Sequence, residues 1–189
     1  ITSGFTSIDV GAGAISTTGA VATGALTTTG ASSITTADNL NTLSLISTDA
    51  DANAGPNLRM YRNSGSPADN DDMGRISFDG RNDNSQDYVA ARIWAESADV
   101  SDGTEDAALL FDVMKAGTVV NQLNINPAET IFNETGSDQN FRFESSASTH
   151  ALFIDGANGR TGINHSTPEA RLEIDGDGET GLLVRSTVS

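Results

Sequence analysis

The 189-residue chain has no cysteine, a single lysine (Lys115), a single tryptophan (Trp94) and no long hydrophobic run. Each shortage closes a class of function. Without Cys there are no disulfides and no thiolate metal sites, although this leaves the compartment open because many extracellular proteins lack disulfides. Ten Lys and Arg stand against 26 Asp and Glu, for a formal net charge of -16 and a pI near 4.1. Nucleic acid and anionic membranes are therefore poor partners, since both require clustered positive charge to displace counterions from phosphate. No stretch approaches the roughly 18 consecutive apolar residues of a membrane span, so the chain reads as soluble, with no membrane insertion. Apolar residues are 37% of the chain, below the roughly 45–50% of ordinary globular domains. Burial must be economical or shared with other chains. The sequence begins at Ile1 and stops in LLVRSTVS while still strand-like, so both ends read as cut, processed or incompletely represented.

What is present falls into three stretches. Residues 1–48 carry two charges, Asp9 and Asp38, and one aromatic, Phe5. Within them a Gly-Ala-aliphatic unit recurs in GAISTTGAVATGALTTTGAS, starting at Gly13, Gly19 and Gly24 and weakening at Gly30. Such a short period indicates a quasi-one-dimensional structure in which each unit leans on its neighbours. A flexible Gly/Ser/Thr linker is the competing reading. Regular spacing and the β-branched content favour a repetitive β-shaft. One aliphatic per turn cannot offset the ordering entropy of a lone strand, so several copies should meet at an axis. The trimer-axis candidates are Ile15, Val21, Leu26 and Ile34.

A boundary falls near DADANAGPN, and residues 49–130 read as an antiparallel β-meander. RISFDG (75–80), YVAARIWAES (88–97), AALLFDVM (107–114) and VVNQLNIN (119–126) supply four strands, and Gly117 suits the last hairpin bend. DYVAARIWAESA and TEDAALLFDVMKAG also allow helix, by their alanine content and end charges. Two-residue alternation in the neighbouring strands decides for strand. Residues 131–189 read as strand-turn-strand repeats: FRFES (141–145), ALFID (151–155), GINH (162–165), RLEID (171–175) and LLVRS (182–186). LFIDGANGRTG at 152–162 matches LEIDGDGETG at 172–181 with one turn residue deleted. Gly156, Gly159 and Gly176 are the turn glycines expected here, in conformations a β-carbon disfavours.

IFNETGSDQNFRFESSASTHALFIDGANGRTGINHSTPEARLEIDG, residues 131–176, resembles a segment repeated in tail-fibre and other structural proteins of marine bacteriophages, cyanophages included. Asn164 and His165 stand where that segment usually has Gly-Thr or similar small residues. GTEDAALLFDVMKAGTVVNQLNIN, residues 103–126, looks like the hairpin that often precedes it. With RISFDGRN, the resemblance covers about the C-terminal two thirds. It implies an all-β, elongated, intertwined homotrimeric fibre on the virion, outside the cell. Its expected partners are its own copies, other virion tail proteins and a host surface glycan or receptor. The same module also suits a bacterial surface filament or adhesin subunit, or a head fibre or decoration protein.

Chemical sites are sparse. Asp79, Asp83, Asp87 and Glu96 could supply the carboxylate pair of a sugar-cleaving enzyme, which needs fixed separation and one acid kept protonated by apolar surroundings. These acids sit instead in turn-like surroundings, so no catalytic residue is expected. Asp49, Asp51 and Asn53 approach a calcium-loop spacing, but Ala54 holds the sixth position and Met60 the twelfth, where Gly and Glu are required. DGDGE at 175–179 has an equally weak claim. His150 and His165 lack a third imidazole, which leaves hydrogen bonding as their role unless a trimer axis gathers copies. Trp94 could stack on sugar, though an anchor is the commoner role of so large a ring. The expectation is no metal, no cofactor and no catalysis.

Overall fold

A computed structural model of the chain describes residues 27–176 and 182. The chain divides into two units, 1–57 and 58–189. Ile15, Val21 and Leu26 lie outside the described residues, as do 183–186 of the expected last strand. In the first unit, residues 27–57 contain neither strand nor helix and every one is exposed. Short side-chain links organise it locally. The Asp49 carboxylate accepts from the Asp51 N–H at 3.2 Å, and that of Asp51 accepts from the Asn53 N–H at 2.8 Å and its amide at 2.9 Å. These are Asx turns, in which a short acidic side chain bends the backbone two residues on.

The second unit is all-β, and among its described residues there is no helix. Its first sheet runs in the order β1 (Asp71–Arg81), β2 (Asp87–Asp99), β3 (Asp106–Lys115), β4 (Thr118–Ile125) and β5 (Thr130–Phe132), antiparallel throughout. The helical option for β2 and β3 fails because their cross-strand rows alternate apolar and polar with period two. The expected four-stranded meander gains a fifth strand. Its three residues are too few to show alternation in the sequence, and the junction drawn between residues 130 and 131 runs through it.

Turn chemistry fixes the hairpins. Ala116 (φ 48°) and Gly117 (φ 83°) form the two-residue β3–β4 loop, with the paired left-handed geometry that matches strand twist. Between β1 and β2 the Asn82 side-chain oxygen accepts from the N–H groups of Asn84 and Gln86 at 3.0 and 2.9 Å. The pairing shifts register between Phe78 and Asp79 and between Phe111 and Asp112, marking bulges that increase local twist.

The second sheet, β6 (Phe141–Phe143), β7 (Leu152–Asp155), β8 (Arg160–Ile163) and β9 (Leu172–Ile174), is mixed, because β8 and β9 pair in parallel. The strand-turn-strand reading covers β7 and β8 but not this parallel partner. A parallel pair needs a crossover. Here residues 164–171 provide one without a helix, held by the Arg160 guanidinium donating to the Pro168 carbonyl at 2.9 Å. Asn164 enters it at φ 54°, a left-handed geometry that Asn tolerates where a small residue would otherwise be used.

In the β7–β8 turn, the Asp155 carboxylate accepts from the N–H groups of Ala157 and Asn158 at 3.0 and 3.3 Å and from the Asn158 amide at 2.7 Å. Two glycines are required there for different reasons. Gly159 sits at φ 62°, whereas a Cβ on Gly156 would lie 2.2 Å from the Gln139 carbonyl oxygen. Gly117 serves the β3–β4 turn, and Gly176 follows β9 at the edge of the described residues.

Candidate functional site

The two faces of the first sheet differ in kind. One cross-strand row, Ser77–Arg92–Asp112–Asn121, is polar across four strands. Asp112 is 4% exposed, and its carboxylate is fully engaged. It accepts from Arg92 Nε at 2.6 Å, from Trp94 Nε1 at 2.8 Å and from the Asn121 amide at 2.7 Å. The Arg92 guanidinium lies 5.1 Å from the Trp94 ring centroid, a cation–π distance. Trp94 is thus an anchor within the sheet, tied down by a buried carboxylate, rather than a free stacking platform.

The opposite face is apolar. Ile76, Ile93, Phe111, Leu123 and Phe132 form one row across all five strands. Phe78, Ala91, Val113 and Val120 form the next, and Ala95, Leu109, Ile125 and Thr130 a third. None of the three rows contains a charged residue. Cores normally bury such rows, yet Ile76 is 41%, Phe78 54%, Leu109 41% and Phe132 54% exposed. The second sheet repeats the arrangement with Phe141, Phe143, Leu152, Ile154, Leu172 and Ile174 on one side. Of these, Phe143 is 55% and Leu172 58% exposed. The two apolar sides adjoin where the Phe132 and Phe141 rings pack with centroids 4.8 Å apart, beside a cleft of about 580 Å³ that also involves Leu123 and Ile154. Across its polar lining Gln139 donates to the Gln122 amide oxygen. No family model, curated protein or solved structure matches this chain.

Of the acids singled out from the sequence, Asp79 and Asp87 line one open cleft with Arg81 and Tyr88 at the turn end of β1 and β2, and Glu96 stands apart from them. Glu96 pairs with Asp72 at one end of β2, and Asp87 pairs with Arg81 at the other. At about 3.3 Å per residue the two acids stand about 30 Å apart, far beyond the roughly 5–9.5 Å that glycoside cleavage uses. Asp79 accepts from the Ser77 hydroxyl at 2.6 Å, and Asp87 forms an ion pair with Arg81 at 2.9 Å while 78% exposed. Asp83 lies in the exposed β1–β2 turn. Asp79, Asp83 and Asp87 are exposed, and Glu96 is half-buried.

Asp51 is acidified by the backbone N–H of Asn53 and then by its side-chain amide. The DADAN carboxylates are thus committed to their own turns. Of DGDGE, Asp175 and Gly176 are described and residues 177–179 are not. His150 bonds Thr149 through Nδ1 at 3.0 Å and stands edge-on to Phe153. His165 Nε2 is 3.1 Å from the Thr167 carbonyl oxygen and 3.5 Å from Glu173, and Nδ1 is 3.8 Å from Asp175. The two imidazoles therefore serve separate local networks. Ile34 is 62% exposed and meets no core.

Sequence reasoning did not find the apolar face. Its signal was present as alternation in RISF, LLFDV and QLNI, but the bulges break the phase of that alternation. The rows emerge only when the register of adjacent strands is known.

Proposed function

We propose that this chain is a structural segment of a bacteriophage tail fibre, homotrimeric and non-enzymatic, that projects the host-recognition apparatus from the virion. One observation carries the reading. Residues 27–57 are wholly exposed without strand or helix, and aliphatic side chains point to solvent along them: Leu40 77%, Leu43 62% and Ile46 81%. A segment in that state is a linker unless neighbouring copies bury it, because alone it has nothing to set against an ordering entropy of about 1–2 kcal/mol per residue; the regular aliphatic spacing favours the copies. The Gly-Ala-aliphatic period and the resemblance of residues 131–176 to phage fibre segments support the same reading.

The work of such a segment is mechanical and adhesive. Copies share a narrow apolar axis, while the acidic turns face water and keep neighbouring fibres apart by charge. Its further partners are other virion tail proteins at one end and, at the tip, a host surface glycan or receptor. Light scattering combined with electron microscopy tests this. A discrete, elongated trimer is expected. An open polymer would favour a bacterial filament subunit, and a monomer that binds a glycan by itself would favour an adhesin.

A further inference from the structure

We infer that the apolar face of β1–β5, continued by the apolar side of the second sheet, is the surface on which further copies of this chain seat. The inference deepens the fibre reading, resting on it only in taking the partner to be the chain itself, and it places self-association in the β-modules as well as in the N-terminal repeat.

Three observations select this face and this occupant. The first is inversion of burial. The polar row keeps Asp112 at 4% exposure though Ser77 at its edge is exposed, while the apolar rows bury Val120 to 7% but leave Phe78 and Phe132 at 54% and Ile76 and Leu109 at 41%. A sheet with one face to water presents its polar side outward. The exposed side here is therefore the one that still requires cover.

The second observation is charge. Copies of a chain at net -16 repel one another. They can approach closely only through a surface that carries no charge of its own, because like charges brought together and desolvated cost several kcal/mol. The three apolar rows are such a surface, and the polar face, with Arg75, Arg92, Glu96 and Asp112, is not. A foreign partner recognised by electrostatics would be drawn to the acidic turns instead.

The third observation is size. With strands about 4.8 Å apart and a rise of about 3.3 Å per residue, the five-stranded face measures about 24 by 18 Å in plan. Adding the side of the second sheet and the relief of the side chains brings it toward the roughly 800 Å² per partner of a stable protein interface. At about 430 Å² in plan, the five-stranded face alone is the size of the largest exposed patches on monomers, about 300–600 Å², which are often functional themselves.

Because the natural chain has no cysteine, single-cysteine variants report proximity cleanly. Phe78→Cys, Leu109→Cys and Phe132→Cys probe the apolar face, and Ser77→Cys, next to Phe78 but on the polar face, is the control. Each full-length variant is treated with a bismaleimide, after circular dichroism confirms its β content and light scattering gives its mass. The expected result is cross-linking of the apolar-face variants at least tenfold above Ser77→Cys. Equal cross-linking of Ser77→Cys and Phe78→Cys would overturn the inference, as would a monomeric chain that binds a hydrophobic dye. A discrete trimer without apolar-face cross-links would overturn the inference and leave the fibre reading standing. Apolar-face cross-links within an open polymer would uphold the inference and remove the fibre reading.

Discussion

On one face of β1–β5 the Asp112 carboxylate is bonded by Arg92, Trp94 and Asn121 inside a single chain. On the other face the row from Ile76 to Phe132 ends in solvent. Both faces are made by the same strands, so backbone pairing does not account for the difference. Polar groups are directional and need few partners, and three donors from two neighbouring strands suffice to satisfy one carboxylate. Apolar surface needs area, and among the described strands of this unit none is layered over the face to supply it. The chain thus satisfies the Asp112 carboxylate within itself, though the Asn121 side-chain oxygen beside it stays buried without a partner among the described residues, and it leaves much of the opposite apolar face exposed.

That contrast between the faces breaks if the polar face is not self-sufficient. Replacing Asp112 with Ala should be the most damaging single change. It strands Arg92 and the Trp94 N–H, and breaking a buried pair from one side costs about 3–5 kcal/mol. About 3 kcal/mol is expected here, because the Arg92 side chain is 29% exposed and keeps a route to water. Urea unfolding at two protein concentrations checks this, and the loss should be the same at both because the node lies within one chain. A loss below about 1 kcal/mol, the median worth of an exposed ion pair, would show that the node does not organise the face.

Next in size is the turn that sets the second sheet. Gly156→Ala places a methyl group against the Gln139 carbonyl, 2.2 Å from its oxygen, so backbone must shift. The cost should be about 1–3 kcal/mol. The neighbouring exposed position Ala157→Ser should stay within about 0.5 kcal/mol. Equal melting temperatures for the two variants would mean that β6 and β7 are not held together at this corner. Gly159→Ala should cost less, about 1 kcal/mol, since it meets open space and bears only the left-handed backbone penalty.

The smallest effect is titration of the Asx turns. Asp155 is held below the ordinary carboxylate value of 3.8, chiefly by the Asn158 side-chain amide. Asp99 is lowered by Ser101, its side chain first and then its backbone N–H. A carboxyl depressed in the folded state contributes stability that is present above its unfolded value and lost as pH falls through the folded one. The wild-type advantage over Asp155→Asn should therefore be constant above about pH 5 and fade below about pH 4. Melting curves of the two proteins across that range should converge at the acid end. An advantage that grows on acidification would reverse the assignment.

Many of these elements are legible in the amino-acid sequence. Alternation places β1 to β4, and Asp-Gly and Asn-Gly pairs place the β7–β8 turn, because strand period and left-handed turn geometry are local properties of a few consecutive residues. The fifth strand is not legible, since Thr130–Phe132 is too short to show a period. The parallel β8–β9 pair is hidden as well, because LEIDG looks the same whichever neighbour it bonds and whichever way that neighbour runs. For the site, the sequence singles out Trp94 but neither Asp112 nor Asn121. Those three converge only when β2, β3 and β4 lie side by side.

By itself the sequence determined the all-β class, the net acidity and the scarcity of apolar residues, because strand period is local and composition bounds how much apolar area a chain can hide. Which residues face which way was decided by the tertiary structure. The bulges after Phe78 and Phe111 and the register of the hairpins put Ile76, Ile93, Phe111, Leu123 and Phe132 in one row and Arg92 and Asp112 behind it. With a side-chain period of two, a slip of one residue in any strand would exchange the two faces, and a slip is governed by contacts between strands rather than within them.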